Sequence, residues 1–178
     1  MQQTILALAA ILIFSLYAMS RHQADASRER LAITAEVETA AVGIARTRMH
    51  EITLREFDEA DIGREGARSS LAGLTATSSF GPDMGETTEA TYDDIDDFDG
   101  RATPQTVQWN GRNLVFRDSV SVRYVVPATA AASAGATLAK EVTIIVTAAP
   151  DGFIGTPEVA ARLRRIVTPA SSTSLSTS

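Results

Sequence analysis

Thr4-Ile-Leu-Ala-Leu-Ala-Ala-Ile-Leu-Ile-Phe-Ser-Leu-Tyr-Ala-Met19 is almost wholly apolar, and no charged side chain stands between Met1 and Ser20. At about 1.5 Å per residue, twenty helical residues reach roughly 30 Å, the thickness of a bilayer's hydrocarbon core. A helix that is greasy around its whole circumference needs lipid or similar helices as neighbours. A chain of 178 residues has no core large enough to swallow it. Two readings compete. Ala24-Asp25-Ala26 has the small-x-small form of a signal-peptidase site, which suits a cleaved secretory signal. Against that, Met1-Gln2-Gln3 supplies no basic n-region, which favours a retained membrane or filament-core segment. Arg21, Arg28 and Arg30 follow the run, on the flank that the positive-inside rule holds in the cytoplasm. An exported C-terminal domain therefore implies a basic leader ahead of Met1, removed later, with the mature chain starting at or near Met1.

Beyond Ser20 the sequence stays helix-friendly. No glycine precedes Gly43 and no proline precedes Pro82, while Ala, Glu, Arg and Leu dominate. Ile33, Val37, Ala40 and Ile44 form an i, i+4, i+7 stripe, continued on a slowly rotating face by Ala41, Ala45, Met49 and Ile52. Asp25, Arg28, Glu29, Arg30, Glu36, Glu38, Arg46 and Arg48 read as the polar remainder. The spacing predicts a helical segment 1–60, with 1–20 for the membrane or filament core and 21–60 as an amphipathic stalk. Its expected end lies at 57–60, before Gly63 and Gly66. Gly43 is read as a point of close packing against a sheet.

Residues 61–104 are expected to be an irregular acidic loop region, punctuated by glycines and by Pro82 and Pro104. From there the period changes to two. Val107 and Trp109 alternate with polar neighbours, and Asn110-Gly111 signals a tight hairpin. Leu114, Phe116, Val120, Val122 and Tyr124 then line one face, with Asp118 in phase, so a bend or bulge is expected there. Val142, Ile144 and Val146 open another strand, and Ile145 suggests burial on both faces. Leu163, Ile166 and Val167 favour a closing strand over the helix that Thr156-Pro157-Glu158 would start. Residues 105–167 thus form an antiparallel sheet domain, and 168–178 a Ser/Thr-rich tail without a core pattern. The fold class is α+β: a long N-terminal helix packed on a small antiparallel sheet.

Composition points away from catalysis. Zero cysteines exclude thiolate chemistry and Cys-ligated metals, and two histidines leave little for proton transfer. No phosphate loop, zinc-protease motif or nucleophile elbow is present. We expect no enzyme and no resident cofactor. A formal charge of −6 disfavours a nucleic-acid partner. The sharpest site candidate is the run Asp93, Asp94, Asp96, Asp97 and Asp99. Hard cations such as calcium take several loop oxygens, although the spacing does not fit an EF-hand. The plainer reading, which we favour, is a solvated loop pinned by Tyr92, Ile95 and Phe98.

A greasy N-terminal helix that continues as an amphipathic stalk into a small antiparallel sheet resembles the type IV pilin and pseudopilin superfamily. The resemblance covers the chain in layout and is most specific over residues 1–60. Phe57-Asp-Glu-Ala60 followed by Tyr92-Asp-Asp-Ile-Asp-Asp-Phe98-Asp-Gly100 is similar to an acidic–aromatic segment of some pilin-like proteins. It implies leader removal by a prepilin peptidase and insertion in the inner membrane. Pilus or secretion machinery would then draw the helices into an extracellular, cell-surface filament. Met1, Gln2, Gln3, Ile5, Leu8, Ile11, Leu12, Phe14, Leu16 and Tyr17 would then carry homo-oligomeric assembly. One departure stands out: Ile5 occupies the place where most major pilins have a glutamate. That keeps a minor pseudopilin open as the alternative, and a single-pass membrane protein with an exported binding domain as a second.

Overall fold

The computed structural model describes residues 2–64, 66–109, 112–148 and 159–169. Helix α1, Gln2–Thr53, runs unbroken for 52 residues, about 78 Å at 1.5 Å each. Its two halves live in different surroundings. Nearly every described side chain before Ile33 is exposed, whereas Val37, Ala41, Ile44, Ala45, Met49 and Ile52 are buried. The predicted stripe is therefore the face that packs on the sheet.

Gly43 does not behave as expected. It faces away from the sheet, and a Cβ built on it meets nothing within 4 Å. The helix also stops at Thr53 rather than at 57–60. The reason lies in the partners of the next residues. The Glu56 N–H donates to Asp93 O at 3.0 Å, and Ile95 N donates back to Glu56 O at 3.1 Å. Asp58 is extended and caps a short 3-10 turn, Glu59–Asp61. Tertiary pairing outbids a helix-friendly sequence.

Four strands follow as an antiparallel meander: β1 Ala102–Trp109, β2 Arg112–Tyr124, β3 Lys140–Ala148 and β4 Ala161–Val167. The sheet starts slightly earlier than 105, and β1 accommodates Pro104 because it is an edge strand. Trp109 pairs with Arg112, so the expected Asn110-Gly111 turn lies between them, outside the described residues. Residues 161–167 are a strand, paired to β3 from Val146↔Ala161 to Lys140↔Val167. The proposed helix start at 156–158 and residues 170–178 of the tail lie outside the described residues.

Asp118 introduces no bulge. β2 runs through it in register, pairing Asp118 with both Thr103 and Val146. Phe116, Val120, Val122 and Tyr124 point into the core with it, joined by Val142, Ile144 and Val146 of β3. On the other face of β3, Glu141 and Thr143 are buried and Ile145 is half-buried.

Candidate functional site

Two features stand out, one at each end of the rod. The first is the apolar half of α1. Ile5, Leu6, Leu8, Ile11, Leu12, Ile13, Phe14, Leu16, Tyr17 and Met19 are 60–71% exposed. Gln3 is exposed beside them, Gln2 lies in the helix, and Met1 is outside the described residues. α1 is long and apolar enough to cross a membrane, with none of its most apolar window buried in the protein.

The second feature is the loop read as solvated acid, and that reading is corrected. Asp94, Asp96 and Asp97 are buried, and so are Tyr92, Ile95 and Phe98 that pin them. Tyr92 and Phe98 meet edge to face, their ring centroids 5.0 Å apart. Each buried carboxylate has a structural task. Asp94 Oδ1 accepts from Asp96 N at 2.7 Å and Asp97 N at 3.2 Å. Asp97 Oδ2 accepts from Asp93 N and Asp94 N, both at 3.1 Å. Asp99 Oδ1 accepts from Val122 N of β2 at 2.7 Å. Asp96 turns inward to the chain's one lysine.

The five aspartates do not converge on a common point. Asp93 and Asp97 do share a cluster with Glu86, which sequence reading did not nominate, their nearest oxygens lying within 4.8 Å. One converging oxygen from each of the three falls short of the roughly six to eight that calcium takes, and Asp97 Oδ2 already accepts from two backbone N–H groups.

Lys140, at the start of β3, is fully buried. Its Nζ donates to Phe57 O at 2.6 Å, to Asp58 Oδ2 at 3.0 Å and to Asp96 Oδ1. The rings of Phe57, Phe80 and Tyr124 wall the ammonium, with centroids 4.8, 5.2 and 5.5 Å from Nζ. Asp58 is fully buried too, yet well supplied with donors. Thr75 N reaches Oδ2 at 3.1 Å, Thr75 Oγ1 reaches Oδ1 at 3.3 Å, and the Tyr124 hydroxyl reaches Oδ2 at 3.1 Å. Burial pushes the Asp58 carboxyl up, but Lys140 and the hydrogen bonds outweigh it and hold it below its ordinary value. For Asp94, burial and the neighbouring Asp96 win, lifting it to about 8. Burial likewise lifts Asp97 to about 7.

A second buried hub sits on α1. Arg48 Nε donates to Asp118 Oδ2 at 2.9 Å, and its Nη1 donates to Glu89 Oε2 at 2.7 Å and Glu51 Oε2 at 3.1 Å. Glu89 also accepts from Arg101 at 2.6 Å and Thr103 at 2.8 Å. Burial raises Glu89, yet these donors prevail and bring it to about 2. Helix, loop and sheet are thus tied through one guanidinium.

Sequence reading missed Lys140, Asp58 and Arg48 as organising residues. The signal was phase. Lys140 is in step with Val142, Ile144 and Val146, Asp118 with Phe116 and Val120, and Arg48 with Ala41, Ala45 and Ile52. A charge in phase with an apolar pattern is a buried charge. No protein-family model matches the chain, and no curated protein and no solved structure matches it.

Proposed function

We propose that this chain is a structural subunit of an extracellular filament of the type IV pilin kind. Its apolar helix would sit in the filament core and its sheet domain in the outer shell. The observation that carries this reading is the contrast along α1. One continuous helix buries a stripe on the sheet after Ile33 and leaves ten large apolar side chains exposed between Ile5 and Met19. Such a surface is tolerable only in lipid or among similar helices. Both environments fit a subunit held in the inner membrane and then drawn by assembly machinery into a helical array. No catalytic constellation enters the proposal, and buried carboxylates such as Asp94 and Asp97 accept from backbone N–H groups that hold the loop.

The placement of Ile5 favours a second reading. An ammonium at a neighbouring subunit's N-terminus would find no carboxylate at that position, and a buried unpaired charge is costly. A minor pseudopilin, present at low copy number in a pilus or secretion machine, needs fewer such contacts.

Negative-stain microscopy of sheared surface material, with mass spectrometry of the filaments, tests both. Filaments composed mostly of this chain support the first reading, and trace presence within another subunit's filament supports the second. Leu8→Asp or Ile11→Asp should abolish incorporation while leaving the sheet domain folded, because each charge enters an apolar bundle far from the sheet. Undiminished filaments in both variants, or a chain found only as monomers in membrane, would defeat the filament reading.

A further inference from the structure

We infer that Lys140 and Asp96 are a site of spontaneous covalent modification, an intramolecular amide bond between Lys140 Nζ and Asp96 Cγ formed with Asp58 as the proton-transfer group. Three separate segments deliver the parts. The stretch after α1 supplies Asp58, the turn Asp96–Phe98 supplies Asp96, and β3 opens with Lys140. All three side chains are buried, and Lys140 Nζ contacts both carboxylates at once. Aromatic rings wall the cage on three sides.

The two carboxylates are not equivalent. Asp58 accepts from Lys140, Thr75 and Tyr124, with Ala60 N at 3.4 Å as well, and these donors keep it ionised. An ionised carboxylate is a base and a poor electrophile. Asp96 has Lys140 as its side-chain donor and lies against the Asp94 carboxyl. Burial holds Asp96 above its ordinary range although Lys140 draws it down.

The chemistry balances without a co-reactant. In a medium of low dielectric, passing one proton from the Lys140 ammonium to Asp96 replaces an ion pair by a neutral amine and a neutral acid. A desolvated amine is a competent nucleophile. Nζ attacks Cγ, the Nζ–Cγ bond forms, and an N–H proton passes to Asp58 Oδ2. Asp58 then returns that proton to a hydroxyl of the tetrahedral carbon, the Cγ–O bond breaks, and water leaves. Ammonium and carboxylate have become an amide and one water, with no change of oxidation state. Holding the reacting groups in contact supplies the effective concentration that free amines and acids lack.

The purified full-length chain in detergent tests this directly. The denatured protein should be lighter than its sequence by one water, about 18 Da. Trypsin should leave residues 69–101 joined to residues 124–162, uncut after Lys140, with fragmentation placing the link at Asp96. Lys140→Arg should abolish the joined species and restore the separate peptides. Asp58→Asn should be folded by circular dichroism yet contain at least tenfold less linked species. If that variant does not fold, the wild-type digest set against Lys140→Arg still decides. Cleavage after Lys140, with both peptides at full mass, overturns the inference. A link to residues 56–64 instead, which carry Asp58, overturns the roles given to the two aspartates.

Discussion

Arg48 shows how much one side chain can hold. It sits on the buried stripe of α1, and its guanidinium serves Asp118, Glu89 and Glu51. Arg48→Met leaves Asp118 buried with Gln105, at 3.2 Å, as its remaining side-chain donor. Removing one partner of a buried ion pair costs about 3–5 kcal/mol, so the full chain should melt well below wild type. Arg48→Met with Asp118→Leu should recover most of the loss, since the buried Asp118 charge is then gone and Glu89 keeps Arg101 and Thr103 as donors. Equal melting of the single and double variants would show that Asp118 is not the stranded partner. Titration makes a separate prediction. Asp94 at about 8 and Asp97 at about 7 stand above their ordinary 3.8, so the folded state holds these protons more tightly than the unfolded chain. The stability they contribute is complete below 3.8 and is lost as pH rises through 7 and 8. Glu89 runs the other way: its contribution is present above 4.5 and lost as pH falls towards about 2. Each proton held only by the folded state gives a slope of about 1.4 kcal/mol per pH unit. The melting temperature in detergent should therefore be higher at pH 5 than at pH 8.5, and a rise over that interval would count against the burial of these two acids.

At the scale of elements, α1 invites one stabilising change. Gly43 lies in the helix interior with open space around it, so Gly43→Ala adds no clash and removes backbone freedom from the unfolded chain. A gain of about 1 kcal/mol is expected, read as a rise of a few degrees in melting temperature. A fall would count against the open space around Gly43. The helix, its apolar stripe, the alternation of β2 and β3 and the closing strand were legible because each is a local period imposed by burial on one face. The end of α1 was not, since nothing local at Leu54-Arg55-Glu56 breaks a helix. What ends it is a pairing with Asp93 and Ile95 some forty residues away. The acidic loop was misread for the same reason. Five aspartates in seven residues suggest solvent until Lys140, far along the chain, is seen to pair with Asp96, and backbone N–H groups to donate to Asp94, Asp97 and Asp99. Asp118 was placed on the correct face and given the wrong consequence: its answer was a salt bridge to Arg48 rather than a bulge.

The whole molecule is a rod joined to a small domain, and the two parts make opposite demands on their surroundings. Residues before Ile33 bury almost nothing against the sheet, so they contribute little to its stability. They nevertheless expose ten large apolar side chains between Ile5 and Met19. Covering each is worth roughly 1.5–3 kcal/mol. Together that is on the order of 15 kcal/mol or more, before the entropy of association is subtracted. A driving force of that size, comparable with the stability of a whole domain, leaves no room for a monodisperse full-length monomer in plain water. The prediction has two halves that must hold together. A chain truncated to residues 27–178 should stay soluble without detergent and keep the melting temperature of the full chain within about 2 °C, because the deleted residues touch no part of the core. The full-length chain should remain dispersed in detergent and associate when detergent is withdrawn, as followed by light scattering. If the truncated chain associates as readily as the full one, the drive lies in the sheet domain and not in the helix. If truncation lowers the melting temperature by ten degrees or more, residues before 27 belong to the fold after all, and the division of α1 into an assembly half and a packing half fails.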